Sequence, residues 1–236
     1  MKSTHYIDLG KMPYKEAWDY QQKLFDQLVD RKKNGLPNVN YLLFVEHFPV
    51  YTLGKSGSME NLLLNEAELK QNEIDFFKIN RGGDITYHGP GQIVVYPVFD
   101  LDHFKHDIRW FVHSLEESVI KLLLRYGIST KRISEYTGVW IGDDQKKMDR
   151  KICAVGIHIS KWVSMHGIAF NVNTDLSYFE NIVPCGISPL EKSVTSMQKE
   201  LGKTMDFELV KTQLKTIIGE VFELEYLAND PEDTEL

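Results

Sequence analysis

The sequence predicts one domain of the α/β (α+β) class, in which strands and helices are mixed along the chain. Three stretches carry apolar residues at helical spacing, and short apolar runs of strand length lie among them. With 236 residues, of which 42% are hydrophobic, the chain can bury one full core. Since no linker or repeat divides it, we expect residues 1–228 to form a single domain. The acidic tail at 229–236 has no apolar face, which is typical of a disordered segment.

The predicted helices each have an apolar face. The first covers residues 14–33 and stops before Asn34-Gly35-Leu36-Pro37, and the most regular covers 107–126, with Gly127 at its C-cap. A third begins near Phe207. Short apolar runs predict strands at 41–46, 74–79, 92–98, 136–141, 151–160 and 163–173. Because only short connections separate the last three runs, they are expected to form an antiparallel meander.

Composition limits the partners of the protein. Its formal net charge of −7 disfavours binding to nucleic acid or to anionic membranes. The sequence has no apolar run long enough to span a membrane, and its first residues lack the apolar stretch of a secretory signal, so we expect a cytosolic protein without membrane contacts. The two cysteines, Cys153 and Cys185, are too few for a disulfide framework.

The segment from Arg81 to Gln92, R-G-G-D-I-T-Y-H-G-P-G-Q, holds four glycines and a proline. Glycine allows positive φ angles and close approach of the backbone to a ligand, so this segment is a candidate binding loop. From these residues alone, a long hairpin loop without a ligand is equally open, because Gly-Pro-Gly is ordinary turn chemistry.

Nucleotide and metal sites are not supported. Leu53-Gly54-Lys55-Ser56 cannot be a phosphate-binding P-loop, because the first glycine of that motif is replaced by Pro49. The glycine segment lacks the third glycine of a dinucleotide fingerprint, whose place is taken by Val94. Neither cysteine has a second cysteine at zinc-ligand spacing, and the histidines occur singly. The sequence therefore predicts neither a cofactor nor a metal.

Cys185 is a candidate nucleophile, because Pro184 and Gly186 place it at a turn within an apolar run. A free thiol titrates at about 8.5, so a nearby cation or histidine would be needed to form the reactive thiolate. Judged from the residues alone, a reactive thiol and a core filler are both open for Cys185. Cys153 lies between Ile152 and Ala154 in a predicted strand, which favours a small apolar filler.

Four blocks in this order resemble the lipoyl(octanoyl) transferases that work with acyl carrier protein. The blocks are the glycine segment, Lys151-Ile-x-Ala-x-Gly-Ile, His166-Gly-Ile-Ala-Phe-Asn and Pro184-Cys-Gly-Ile. The segment Pro49–Gly54 fits the same family, so the resemblance runs from about residue 40 to about residue 190. It implies a mixed β-sheet backed by helices, a fold shared with the biotin and lipoate ligases, with an acyl tunnel beside the glycine segment.

The resemblance also implies a reaction, the first step of endogenous lipoate biosynthesis. Cys185 would take the octanoyl group from acyl carrier protein as a thioester, and a lysine amine of a lipoyl domain would then displace it as an amide. The expected acceptors are lipoyl domains of 2-oxoacid dehydrogenases and the glycine cleavage H protein. Lys151 would stabilise the Cys185 thiolate, although without Cys185 it reads as a surface lysine.

By the same resemblance, substrate-lining residues are expected in three segments: Arg81, Gly82, Gly83, Asp84, Ile85, Thr86, Tyr87 and His88; Ala154, Val155 and Gly156; and Gly167, Ile168 and Ala169. Small residues in these segments would let a linear acyl chain pass close to the backbone. For His88, a role in orienting catalytic groups and a structural hydrogen bond both remain open.

Other functions remain as alternatives. An ATP-dependent lipoate or biotin ligase of the same fold would need no cysteine nucleophile. A thiol hydrolase would pair Cys185 with His166 or His88, and a non-catalytic acyl-binding module would use neither. Acidic protein partners would need a locally basic docking face, for which the candidates are Lys131-Arg132 and Lys146-Lys147 with Arg150.

Overall fold

A computed structural model describes residues 2–142, 148–183 and 192–228. Its strands are β1 (Lys2–Met12), β2 (Asn40–His47), β3 (Val50–Leu53), β4 (Asp75–Lys78), β5 (Ile85–His88), β6 (Gln92–Val98), β7 (Lys131–Ile133), β8 (Tyr136–Ile141), β9 (Asp149–Ser160), β10 (Val163–Asn171), β11 (Lys192–Val194) and β12 (Leu224–Tyr226). Its α-helices are α1 (Tyr14–Lys33), α2 (Glu66–Gln71), α3 (Ile108–Arg125), α4 (Met197–Leu201) and α5 (Phe207–Phe222). Short 3-10 helices cover Met59–Asn61, Leu101–His103 and Leu176–Asn181.

The strands form two sheets. The larger has the order β12-β1-β2-β6-β10-β9-β8-β7, with β11 added beside β9, and the smaller has the order β4-β3-β5. Strand β1 is parallel to both of its neighbours, β11 is parallel to β9, and the other pairs of the large sheet are antiparallel. The predicted fold class, a mixed sheet backed by helices, is therefore confirmed.

Helices cover both faces of the large sheet. On one face, Phe111 of α3 and Leu214 of α5 belong to the same core cluster as Val95. On the other, Leu24 of α1 belongs to a second cluster with Val94. Neighbouring residues of β6 thus point into different cores, which explains why the strand after Gln92 has apolar residues on both faces instead of alternating.

Most predicted elements are present. The predicted helices match α1, α3 and α5 closely, and every predicted strand overlaps an observed one. Antiparallel pairing of β8, β9 and β10 confirms the meander. The sequence analysis predicts no strand at residues 2–12, where β1 lies, because its buried residues Thr4, Ile7 and Met12 follow no regular alternation.

The glycine segment is not a hairpin. Strand β5 pairs with β3 in the small sheet, whereas β6 pairs with β2 and β10 in the large one, so Gly89-Pro90-Gly91 carries the chain from one sheet to the other. Gly91 has a φ of +79°, and a Cβ there would lie 2.6 Å from the carbonyl carbon of Asn173. Its N–H donates to Oε1 of Glu46 at 3.0 Å. This crossing therefore requires glycine.

None of the helices within the described ranges is both long enough and apolar enough to cross a membrane. The predicted acidic tail at 229–236 lies outside the described residues, and the division of the chain at residue 228 stays a prediction.

We expect Gly91→Ala to lower the free energy of unfolding by about 3 kcal/mol or more, because the new methyl group adds a steric clash to an unfavourable φ. The matched control is Gly35→Ala. Gly35 has a φ of +66°, and a methyl group added there would meet no atom of the described residues within 4 Å, so this substitution should cost only about 1 to 2 kcal/mol. Chemical denaturation measures both values, and equal costs would contradict the close approach at Gly91.

Candidate active site

A cavity of about 690 Å³ is lined by residues of both sheets. Its size lies within the usual range for small-molecule sites. Strands β6, β9 and β10 of the large sheet contribute one side, and the loop before β5 together with β5 contributes the other. The predicted site residues that line it are Arg81, Gly83, Asp84, Ile85, Thr86, His88, Lys151, Ala154, Val155, Gly156, Gly167, Ile168 and Ala169.

Two predicted lining residues, Gly82 and Tyr87, do not line the cavity. The N–H of Gly82 donates to the carbonyl of Ile157 at 2.8 Å, so this residue joins the loop to β9. Tyr87 lies between Thr86 and His88 in β5. Its ring is buried and stacks on that of Tyr178, with 4.6 Å between the ring centroids, within an apolar cluster that includes Tyr51 and Leu69.

Small residues form part of the cavity wall where β9 and β10 pair. Ala154 is opposite Ala169, and Gly156 is opposite Gly167. A Cβ at Gly167 would lie 2.1 Å from the carbonyl oxygen of Val95, so the neighbouring strand also requires this glycine. These two cross-strand pairs leave a wall with short side chains on which an extended ligand can lie.

Arg81 is a buried cation at the cavity. Its Nη2 donates to the carbonyl and hydroxyl oxygens of Thr52, at 2.7 and 3.0 Å, and its Nη1 donates to the carbonyl of Gly82 at 2.9 Å. Glycines make room for this side chain: a Cβ at Gly54 would lie 2.9 Å from Nη1, and one at Gly156 would lie 3.0 Å from Cδ. Gly54 and Gly156 thus make room for Arg81 and not directly for a ligand.

Arg81 begins a chain of buried hydrogen bonds. Since the Thr52 hydroxyl accepts from Arg81, it can donate to Nε2 of His88, which is 3.4 Å away. Nδ1 of His88 then donates to Oε1 of Gln92 at 2.8 Å. The amide nitrogen of Gln92 donates to Oδ1 of Asn171 at 2.9 Å. The direction of these bonds assigns His88 the neutral tautomer with its proton on Nδ1.

The same chain of hydrogen bonds continues to Lys151. The side-chain nitrogen of Asn171 donates to the carbonyl of Thr195 at 3.0 Å, and the N–H of Thr195 donates to the carbonyl of Lys151 at 2.9 Å. The backbone at Lys151 is therefore connected through buried polar groups to the glycine segment.

Three buried histidines lie in this region: Arg81 repels the protonated forms of His88 and His166, and the His47 ring centroid is 5.9 Å from that of His88. Burial lowers the pKa of His47 to about 4. Burial, followed by repulsion from Arg81 and His158, lowers the pKa of His166 to about 3. The pKa of His88 also lies well below its usual range, mainly because of burial and then because of His47. At neutral pH these imidazoles are uncharged, and such groups are weak bases.

His166 adopts an unusual backbone conformation, with a φ of +60° within β10. Its N–H donates to Oε1 of Gln21 on α1 at 2.8 Å, and its Nε2 lies 2.8 Å from Oδ1 of Asn80. Such backbone strain persists only where surrounding contacts hold it. Helix α1 therefore helps to shape the cavity from behind.

Lys151 is half-buried in β9 and lies beside Trp140 of β8. Its Nζ is 4.6 Å from the centroid of the Trp140 ring. On the other side of β9, Lys151 is opposite Val194 of β11. This position brings its ammonium to the cavity.

Cys185 lies outside the described residues. Val183, two positions before it, lines the cavity, and its N–H donates to the carbonyl of Asn61 at 2.9 Å. Cys153 is fully buried in the core, where burial raises the pKa of its thiol. This position agrees with the prediction that Cys153 is a small apolar filler.

The sequence analysis does not single out Trp140, Asn171 or Thr195. Trp140 lies in a predicted strand, but its contact with Lys151 depends on the register between β8 and β9. Asn171 ends the His166-Gly-Ile-Ala-Phe-Asn block, which was a usable signal. No sequence signal identifies Thr195, because it joins the chain of hydrogen bonds through its backbone N–H and carbonyl groups.

Within the described ranges, no group of three potential ligands among histidine, cysteine and carboxylate residues is placed to hold a metal ion.

The predicted basic docking residues have acidic partners: Lys131 pairs with Asp149 at 2.7 Å, Arg132 with Glu116 and Glu117 at 3.0 and 2.6 Å, and Arg150 with Glu200 at 2.9 Å. Lys146 and Lys147 lie outside the described residues.

The chain is similar to known proteins along most of its length. The family model of the lipoyl protein ligase A/B catalytic domain matches residues 13–219. A Parabacteroides distasonis protein named octanoyltransferase is 48% identical over 222 residues, which cover 94% of this chain and 100% of the relative. A Flavobacterium johnsoniae protein of the same name is 52% identical over 231 residues, covering 95% of this chain and 98% of the relative.

Solved structures of lipoate ligases share the fold. A bipartite lipoate protein ligase from the lipoylation system of Thermoplasma acidophilum matches with a TM-score of 0.72 and 16% identity, covering 99% of this chain and 89% of that one. A lipoate-protein ligase A bound with ATP matches with a TM-score of 0.70 and 19% identity, covering 99% and 91%. At these identities the likeness shows the fold alone.

The buried histidines predict a dependence of stability on pH. The pKa of His47 falls from 6.5 in the unfolded chain to about 4 in the folded protein. Between these values the unfolded chain binds more protons, so stability decreases as the pH falls. We expect His47→Gln to reduce the loss of unfolding free energy between pH 7 and pH 5 by about 2 kcal/mol.

Chemical denaturation at both pH values measures this change. An equal loss of unfolding free energy between pH 7 and pH 5 in the wild type and in His47→Gln would show that His47 is not held neutral by burial.

Proposed function

The chain belongs to the family of the lipoyl protein ligase A/B catalytic domain, and we propose that within this family it transfers an octanoyl group from a carrier-protein thioester to a lysine of a lipoyl domain. The observation that carries this proposal is the identity of about half of all residues, over nearly the whole chain, with proteins named octanoyltransferase. Transfer of the octanoyl group is the first step of lipoate biosynthesis in this proposal.

The shape of the cavity supports an acyl substrate. The opposed pairs Ala154/Ala169 and Gly156/Gly167 offer a wall of short side chains, and Ile168 and Val94 add apolar surface. Apolar surface stabilises a bound hydrocarbon chain in proportion to the area that it removes from water. Lys151 provides a cation at the same cavity.

The proposed reaction has two steps. In the first, the Cys185 thiolate attacks the thioester carbonyl, a new carbon–sulfur bond forms, and the bond to the carrier protein breaks with release of its thiolate. In the second, the lysine amine of the acceptor attacks the acyl-enzyme, loses a proton and expels the Cys185 thiolate. A thioester is thus exchanged for a more stable amide, so the transfer requires no nucleotide.

Lys151 has two roles in this proposal. Its ammonium stabilises the Cys185 thiolate by charge and gives a proton to the departing thiolate of the carrier protein, so that the resulting neutral amine can take the proton that the attacking amine loses. The two residues are far apart in sequence, but Val183 and Lys151 line the same cavity. Cys185 follows Val183 by two residues, and two residues of extended chain span at most about 7 Å.

The alternatives have less support. A thiol hydrolase would need His88 or His166 as a base, and a general base works best with a pKa near the operating pH. The pKa values of both imidazoles lie far below that range. An ATP-dependent ligase has the same fold, but the relatives near 50% identity carry the name octanoyltransferase. A non-catalytic module would not become acylated.

The donor and the acceptors are part of the proposal. We expect octanoyl-acyl carrier protein as the donor, with lipoyl domains of 2-oxoacid dehydrogenases and the glycine cleavage H protein as acceptors, in the cytosol. Because Lys131, Arg132 and Arg150 are paired with carboxylates of the chain itself, the predicted docking role rests mainly on Lys146 and Lys147 and stays a prediction.

Mixing the protein with octanoyl-acyl carrier protein is expected to add one octanoyl group, lost on treatment with hydroxylamine and detected by intact-mass spectrometry. Cys185→Ala should abolish the adduct, because it removes the nucleophile. Cys153→Ala is the matched control and should retain it, because Cys153 is buried in the core. An adduct that persists in Cys185→Ala would exclude the proposed nucleophile.

We expect Lys151→Ala to lower the rate of octanoyl transfer to a lipoyl domain about a thousandfold, since it removes the proposed cation and proton relay. Lys121→Ala, at an exposed lysine of α3, should retain the wild-type rate. Quenched-flow measurement of the acylated lipoyl domain, without ATP, gives both rates. A Lys151→Ala rate near that of the wild type would contradict the role of Lys151.

A further inference from the structure

The buried carboxylate of Glu116 binds strand β8, which pairs with the strand that carries Lys151. Glu116 of α3 is 3% exposed. Its Oε1 accepts the N–H of Gly138 at 2.8 Å, and its Oε2 accepts the Nε–H of Arg132 at 3.0 Å. A buried charge needs such partners to offset the loss of hydration. The result is a fixed connection from α3 to the backbone of β8.

Gly138 lies directly under the side chain of Lys151. Its φ is +124°, a conformation that residues with a Cβ rarely adopt, and a Cβ there would lie 2.5 Å from the carbonyl oxygen of Cys153. The same Cβ would lie 3.4 and 3.5 Å from Cε and Cδ of Lys151. The lysine stem therefore runs over a position whose backbone is held by Glu116.

The Trp140 ring contacts the ammonium end of the Lys151 side chain. In the register of β8 and β9, Trp140 is opposite Lys151 but Val139 is opposite Cys153, so β9 has one residue more than β8 at this point. Such a bulge redirects side chains. The Lys151 ammonium lies over the Trp140 ring at 4.6 Å from its centroid. Nε1–H of the ring donates to the carbonyl of Tyr136 at 3.0 Å, which fixes the ring plane.

We propose that Glu116, Gly138 and Trp140 are positioning residues that hold the Lys151 ammonium at the cavity. This inference rests on the proposed function, because it assumes that Lys151 acts in the transfer. A free lysine side chain has many rotamers, and ordering it costs conformational entropy. Glu116 fixes Gly138, Gly138 leaves room for the stem, and the Trp140 ring attracts the ammonium. The cation is then in place before the substrate arrives.

The first test compares Trp140→Leu with Trp140→Phe. We expect Trp140→Leu to lower kcat about tenfold to a hundredfold, with KM for octanoyl-acyl carrier protein within about twofold of the wild type, because positioning and not binding is lost. Trp140→Phe retains an aromatic face and should restore most of kcat. Equal kcat values for the two variants would overturn the role of the ring.

The second test does not depend on octanoyl transfer. Lys151 is acetylated with sulfosuccinimidyl acetate at fixed pH, and peptide mass spectrometry compares its rate with that of exposed Lys121 in the same sample. Loss of the ring removes the cation–π contact that stabilises the ammonium, so relative labelling of Lys151 in Trp140→Leu should rise between about twofold and thirtyfold. Unchanged labelling would overturn the proposal.

The third test uses two adjacent carboxylates of α3. Glu116 and Glu117 both pair with Arg132, but Glu116 also binds Gly138. We expect Glu116→Ala to lower kcat and to raise Lys151 labelling. Glu116→Gln should restore both values, because an amide oxygen still accepts the N–H of Gly138. Glu117→Ala should behave as the wild type. Equal effects of Glu116→Ala and Glu117→Ala would overturn the role of Gly138. Should Glu116→Ala not fold, the Trp140 variants decide.

The outcomes separate the two proposals. If the wild-type protein does not transfer octanoyl but Lys151 labelling rises in Trp140→Leu, the proposed function is wrong and the positioning of Lys151 stands. If the wild type transfers octanoyl and neither kcat nor labelling changes in Trp140→Leu, the function stands and the positioning is wrong.

Discussion

The burial of the Arg81 guanidinium is the constraint on which this side of the molecule depends. A cation that has left water must find replacement hydrogen bonds, and Arg81 finds them at Thr52 and at the carbonyl of Gly82. These oxygens can approach because Gly54 and Gly156 lack side chains that would block the guanidinium. The same charge disfavours protonation of nearby imidazoles. The nearby glycines, the Thr52 hydroxyl and the neutral state of the histidines are thus all linked to the buried charge of Arg81.

The cavity has two chemically different ends. Lys151 lies near the start of β9, beside Trp140, whereas His166 is opposite Ile157 near the end of the same strand. Ile157 follows Lys151 by six positions in β9, which corresponds to about 20 Å of strand. Between them the wall consists of alanine and glycine pairs. One end of this wall therefore has the Lys151 ammonium, and the other has the neutral imidazole of His166 near the buried guanidinium of Arg81.

Much of the fold could be predicted from the sequence, because long helices and strands have regular apolar patterns. Short strands such as β11 could not, since three residues carry no period and their pairing is set by distant partners. The glycine segment and the small residues were found from motifs, but Tyr87 is buried against Tyr178 and does not line the cavity, which depends on contacts between distant segments. The proposed roles of Cys185 and Lys151 rest on the resemblance, because Lys151 alone is typical of a surface residue. Trp140 depends on a one-residue bulge, which no local pattern reveals.

The crossing at Gly89–Gly91 has a topological consequence. Strands β2 and β6 are neighbours in the large sheet, yet residues 48–91 between them leave that sheet, build the small sheet and return. The part of the chain that faces β9 and β10 across the cavity is therefore an insertion between two paired strands. An insertion of this kind can change in length and composition without shifting the register of the sheet that carries it. Substrate preference in such a fold can diversify on one side of the cavity while the scaffold stays constant.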